Sequence, residues 1–134
     1  MLYAKPMNMS LLFSVAAGGA VGASLRFLAV SLVGRLLGHN LPWGTLAVNI
    51  AGAFLLGALV EGSALRWQVS EVLRAFLVVG MLGGFTTFSA FSLDAVLLYQ
   101  RGDIVMAALY VLASVALSLT GLCLGMAAMR GLLA

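Results

Sequence analysis

A chain of 134 residues that is 63% hydrophobic and 8% charged lies far outside the composition of a soluble domain, in which roughly a quarter of the residues are charged. Lipid is its expected solvent, and the length leaves room for one domain and no separate soluble enzymatic or regulatory module. The formal charge of +3 comes from single, scattered basic residues rather than a cluster, which argues for membrane flanks and against a nucleic-acid partner.

A span across the bilayer needs ~20 mostly apolar residues, because every backbone group must find its hydrogen bond within the protein where water is absent. Four segments qualify. The first, residues 11–33, carries Arg26 as its only charge. It follows Lys5 but is too long and too rich in glycine for a signal-peptide core, so it is expected to stay as a span. The second, residues 44–60, carries no charge, the third, residues 72–99, is interrupted by glycines, and the fourth covers residues 104–129. Turns are expected at Gly38-His39-Asn40-Leu41-Pro42, at Glu61-Gly62-Ser63 and at Gln100-Arg101-Gly102-Asp103.

An even number of spans puts both termini on one side, with Lys5, Arg66, Arg74 and Arg130 opposite Arg35 and Arg101. Four against two is a small bias, and a chain with so little asymmetry can insert either way. Glycine pairs four apart, Gly18 with Gly22 and Gly121 with Gly125, read as close helix packing rather than a dedicated dimer motif. Four helices enclose little interior, so a transport path calls for a second subunit, most economically a copy of the same chain. Cys123 lies alone in an apolar run and reads as a small packing residue.

The third span is the most informative. From Gly80 it reads Gly80-Met81-Leu82-Gly83-Gly84-Phe85-Thr86-Thr87-Phe88-Ser89-Ala90-Phe91-Ser92. Paired glycines followed by two β-branched threonines are poor helix material in mid-span, so a break is expected near residues 83–87. Non-helical backbone at that depth is tolerated where it is buried in protein or lines a polar cavity, and freed carbonyls there commonly hold a cation. Phe85, Phe88 and Phe91, spaced by three, could equally form a packing stripe, but the interleaved hydroxyls of Thr86, Thr87, Ser89 and Ser92 favour a polar lining. On the fourth span Tyr110, Ser114 and Ser118 recur every four residues and share a face. Spacing alone leaves open whether they form a polar track or ordinary interhelical hydrogen bonds.

The string from Gly83 to Ser92 resembles the signature of the Fluc (CrcB) fluoride channels. Gly44-Thr45-Leu46-Ala47-Val48-Asn49-Ile50-Ala51-Gly52 is similar to that family's second-helix motif, and Gly22-Ala23-Ser24-Leu25-Arg26-Phe27 to its first-helix motif. The resemblance implies an all-α membrane fold of four transmembrane helices, the third broken, assembled as an antiparallel dual-topology homodimer in the inner membrane. It implies passive export of fluoride and a central structural Na+ that is not transported, held by the backbone carbonyls of Gly83 and Thr86. Phe88 and Phe91 match the two pore phenylalanines, whose positive ring edges can attract a small anion without trapping it. Asn49 matches the pore asparagine, whose amide NH₂ is a donor for fluoride. Tyr110, Ser114 and Ser118 match the hydroxyl track, with Thr87 and Ser89 adding hydroxyls from the third span. Arg26 matches the first-helix arginine and Asp94 an acidic position near a pore mouth. One departure stands out: Ala90 occupies a position where family members commonly carry threonine.

The rival reading is a small four-helix, proton-coupled exporter of cationic drugs. It requires a titratable carboxylate deep in the first span, and residues 11–33 contain none. A non-transporting assembly subunit would account for the glycines but leaves Asn49 and the broken span without a purpose. No enzyme is expected, because His39 is the single histidine, sits in a turn, and has no paired carboxylates or phosphate-binding loop around it.

Overall fold

Asn8 starts the bundle: its side chain accepts a hydrogen bond from the Ser10 amide at 3.0 Å and caps helix α1, Met9–Leu37. The structure is a computed structural model and describes residues 6–134, so Lys5, counted above among the basic residues of one side, lies outside the described residues. Helix α1 ends at Gly38, whose φ of 85° is the left-handed conformation that glycine adopts without strain. Helix α2, Trp43–Leu65, follows Pro42. The third span opens with a single turn, α3, Glu71–Arg74, capped by the Ser70 hydroxyl. It continues as a π-helical segment, Ala75–Leu82, and closes its first half with α4, Gly83–Phe85. Helix α5, Phe88–Gln100, completes the span, and α6, Ile104–Leu133, is the fourth. Among the described residues there is no strand.

The helices run beyond the apolar cores expected of them. At 1.5 Å per residue α1 is about 44 Å long, against a hydrocarbon thickness of about 30 Å, so its ends stand in the interfacial layers. Helix α2 also runs straight through Glu61-Gly62-Ser63, where a turn is expected from composition, and the connection falls instead at residues 66–70. Glu61 stays helical because its carboxylate accepts a hydrogen bond from Arg130 Nε at 2.9 Å and is buried against α6. Ser63 returns its hydroxyl to the Leu59 carbonyl at 2.7 Å, and the ring of Trp67 folds over Gly62.

Two seams hold the bundle. On one, α2 packs along α6, and a Cβ on Gly125 would strike the backbone carbonyl of Phe54. On the other, α1 packs along the π-helical segment, and a Cβ on Gly22 would strike the carbonyl of Met81. The small-residue pairs on α1 and α6 thus serve packing within one chain. Gly125→Leu is expected to lower stability by about 3 kcal/mol or more, since backbone cannot be displaced as a side chain can. Size-exclusion profiles of the purified variant check this: aggregation is expected, and a wild-type profile would contradict the packing described.

The Ser14 hydroxyl, donating to the Val72 carbonyl at 2.6 Å, and the Glu61–Arg130 pair tie one end of the bundle. Arg101, donating to the Asn40 carbonyl at 2.9 Å and to Asp103 at 3.0 Å, ties the other. Trp67 and Trp43 stand part-exposed at opposite ends, where indole rings suit the membrane interface. Between them the outer surface is apolar, with Phe27 72% and Leu132 77% exposed. Four helices long and apolar enough to cross a bilayer make this a multi-pass membrane protein.

Candidate functional site

The interruption of the third span is shorter than its sequence suggests. Gly83 and Gly84 remain helical, Gly83 with φ −63° and ψ −37°, and the backbone becomes extended only at Thr86 (φ −85°, ψ 158°) and Thr87 (φ −151°, ψ 121°). Gly84 instead lets α1 approach, since its Cβ would lie 2.9 Å from the Gly19 carbonyl oxygen. The β-branched residues leave the helix, and Gly84 serves contact.

Asn49 of α2 secures the extended pair. Its Oδ1 accepts from the Thr87 N–H at 2.7 Å and its Nδ2 donates to the Thr87 carbonyl at 3.0 Å, so one amide satisfies both backbone groups of a residue that has left the helix. One of the two Nδ2 hydrogens remains for a ligand. Thr87 then caps α5, its Oγ1 accepting from the Ala90 N–H at 3.1 Å and lying 3.2 Å from Ser89 Oγ. Thr86 turns its hydroxyl back to the Leu82 carbonyl at 2.9 Å, and its own carbonyl receives Arg26 Nη1 at the long distance of 3.5 Å.

A groove of about 400 Å³ runs past this break. Asn49 lines it from α2, Gly83, Thr86 and Thr87 from the break, Phe88 and Phe91 from α5, and Ser114 and Ser118 from α6. Eight of the residues singled out in the sequence are therefore brought together. Phe88 projects freely, 78% exposed, whereas Phe91 is 8% exposed, and their ring centroids are 5.4 Å apart with the planes tilted by 54°. Phe91 also packs on Tyr110, centroids again 5.4 Å apart, and the buried Tyr110 hydroxyl donates to Asp94 Oδ2 at 3.3 Å. Ser114 Oγ is buried and makes no hydrogen bond among the described residues. A buried hydroxyl so placed is a ready partner for a ligand or a water.

Four candidates stand apart from this groove. Arg26 and Ser89 line a second groove on the other side of Thr87, together with Thr45 and Ser31. Tyr110 and Asp94 join the first groove only through Phe91 and through each other. Ala90 lies in the second groove as well, so the hydroxyl it lacks would not have reached the one holding Phe88 and Ser114. Sequence reasoning did not single out Thr87 as a cap, although a threonine directly ahead of a helical stretch is a recognisable signal. Neither did it foresee Glu61 as a buried ion-pair partner, which depends on α6 lying alongside α2.

Residues 13–126 match the family model described as CrcB-like protein, Camphor Resistance (CrcB). A Fluoride-specific ion channel FluC of Chelativorans sp. (strain BNC1) is 53% identical over 122 residues, 91% of this chain and 98% of the relative. The protein of the same name from Agrobacterium fabrum (strain C58 / ATCC 33970) is 53% identical over 118 residues, 88% of this chain and 94% of the relative. That from Rhodospirillum centenum (strain ATCC 51521 / SW) is 51% identical over 122 residues, 91% and 97% of the two chains. With the matched region extending from the first span to the fourth, and half of the residues shared with these relatives, the chain belongs to the Fluc (CrcB) fluoride channel family.

Proposed function

We propose that the chain is a fluoride-selective channel through which fluoride leaves the cell passively. The observation that carries this reading is the single groove in which Asn49, Phe88, Phe91, Ser114 and Ser118 converge. It holds hydrogen-bond donors and two phenyl rings and no fixed cation, and rings presenting their positive edges would attract an anion without binding it too tightly to leave. Fluoride is strongly hydrated, and the spare Asn49 N–H with the Ser114 and Ser118 hydroxyls can replace its water one hydrogen bond at a time. Tyr110, braced by Asp94, steadies Phe91 at one end of this row. Arg26, Ser89 and Thr45 add polarity to the approach on the opposite side of the break.

The groove is lined mainly by apolar side chains such as Leu56, Leu82 and Leu122, and its few polar groups, Asn49, Ser114 and Ser118, are what a second copy of the chain would shield from lipid tails. An antiparallel homodimer suits the small difference in basic residues between the two ends, Arg66, Arg74 and Arg130 against Arg35 and Arg101. Gly83 and Thr86 fit the role of ligands for a structural Na+, because the amides that would bond their carbonyls in an unbroken helix are engaged elsewhere. A bound Na+ would supply positive charge at the junction of the two copies without itself being transported.

The rival drug exporter needs a titratable group deep in the first span. Helix α1 has no acidic residue, and the buried Glu61 sits near the end of α2, engaged by Arg130. Expression of the chain in a bacterial strain lacking its own fluoride export is expected to restore growth on fluoride-containing medium. Growth restored against cationic dyes but not against fluoride would favour the exporter.

A further inference from the structure

In an α-helix each carbonyl accepts from the amide four residues on, so the natural donor to Gly83 O is the Thr87 N–H and to Thr86 O the Ala90 N–H. Both amides are diverted by side chains. The Thr87 N–H goes to Asn49 Oδ1 at 2.7 Å, and the Ala90 N–H goes to Thr87 Oγ1 at 3.1 Å. We infer that Asn49 and Thr87 are positioning residues whose acceptors keep the Gly83 and Thr86 carbonyls free for a cation.

The geometry is more than an ordinary helix cap. The acceptor for Thr87 comes from another span, and its amide returns a second bond to the Thr87 carbonyl at 3.0 Å, so the peptide groups on both sides of Thr87 are held. Thr87 Oγ1 also lies 3.2 Å from Ser89 Oγ, a pair in which either hydroxyl can donate, and keeps a lone pair for the Ala90 N–H. The remaining donor near these carbonyls, Arg26 Nη1, reaches Thr86 O at only 3.5 Å and leaves a lone pair unused. Gly83 keeps helical dihedrals, so its carbonyl is directed along the axis at the C-terminal, negative end of α4 and the π-helical segment before it. The diverted Thr87 amide accompanies the end of α4 and the diverted Ala90 amide the start of α5, and each leaves an oxygen without its helical donor.

The inference rests on the reading of Gly83 and Thr86 as Na+ ligands, and its test separates the two. Thermal unfolding of the purified full-length protein is followed against Na+, with choline replacing it at constant ionic strength. Wild type is expected to gain stability with Na+. In Thr87→Val the Ala90 amide loses its acceptor, and the Na+ concentration giving half the effect is expected to rise roughly fivefold or more, the loss of a cap expressed as affinity. Thr87→Ser, which keeps the hydroxyl, is expected to match wild type. Thr87→Cys, with a weakly accepting thiol, is measured should the valine variant not fold, and a shift in the same direction is expected. An unchanged midpoint in the valine variant, or in the cysteine variant in its place, overturns the role given to Thr87 while the cation site stands. A wild type indifferent to Na+ removes the cation site and this role together.

Discussion

Asn49→Ala is expected to abolish fluoride efflux while the chain still folds and self-associates. The alanine removes the partner of the Thr87 N–H and of the Asn49-bonded Thr87 carbonyl at once. Backbone groups left unpaired away from water carry a penalty of about 1–3 kcal/mol each, enough to make the extended pair rewind or shift. Since each 1.4 kcal/mol is a factor of ten in an equilibrium, a loss of two such contacts predicts a fall in flux of roughly a hundredfold or more. The groove also loses a donor that faces Ser114 and Phe88. Among the described residues both hydrogen bonds of the Asn49 side chain go to Thr87, and the α2–α6 and α1–π seams are built on glycine contacts elsewhere, so the variant is expected to elute as wild type does. Fluoride-electrode traces from proteoliposomes decide the matter, and wild-type efflux would remove Asn49 from the mechanism.

Phe88→Ile is the second change of large expected effect, and it isolates a different cause. Phe88 is 78% exposed in the single chain and makes its aromatic contact with Phe91 alone, so little of the fold depends on it. Isoleucine retains a bulky apolar side chain and removes the ring quadrupole, whose positive edge is the feature offered to an anion. Loss of about 1–2 kcal/mol of such attraction at a constriction corresponds to a roughly five- to thirtyfold fall in flux. The same efflux assay is run alongside size exclusion, and a variant that conducts as wild type does would show that bulk, not charge distribution, is what this position requires.

How much of this was legible in the sequence varied with the range of the contacts involved. The four spans follow from apolar runs whose length the bilayer sets, and α1, α2, the third span and α6 all contain the segments expected of them. Asn49, Phe88, Phe91, Ser114 and Ser118 stand out in the sequence through their match to family motifs, and the fold carries them to one groove. The position of the break could not be read to the residue. Gly83 and Gly84 are weak helix formers in isolation, yet both are helical, with α1 packed against Gly84, while Thr87 is extended and bonded to the Asn49 amide. Those contacts come from two other helices, which local propensity does not contain.

The π-helical segment, Ala75–Leu82, left no mark in composition. Nor did the separation of Arg26 and Ser89 from the groove: Ser89 sits beside Phe88 in sequence, yet successive positions on a helix point some 100° apart, enough to place it in the second groove with Arg26. Glu61 reads as part of a turn because charged and small residues cluster there, and only the arrival of Arg130 on α6 makes a helical, buried carboxylate acceptable. In each case the missing information was tertiary.

The claim that the chain conducts fluoride in preference to other anions is tested most directly by anion efflux from liposomes carrying the purified protein. Vesicles loaded with fluoride or with chloride, and given a potassium ionophore to balance charge, are expected to empty rapidly of fluoride and to retain chloride. Equal release of both anions, or retention of fluoride in vesicles shown to contain folded protein, would contradict the account.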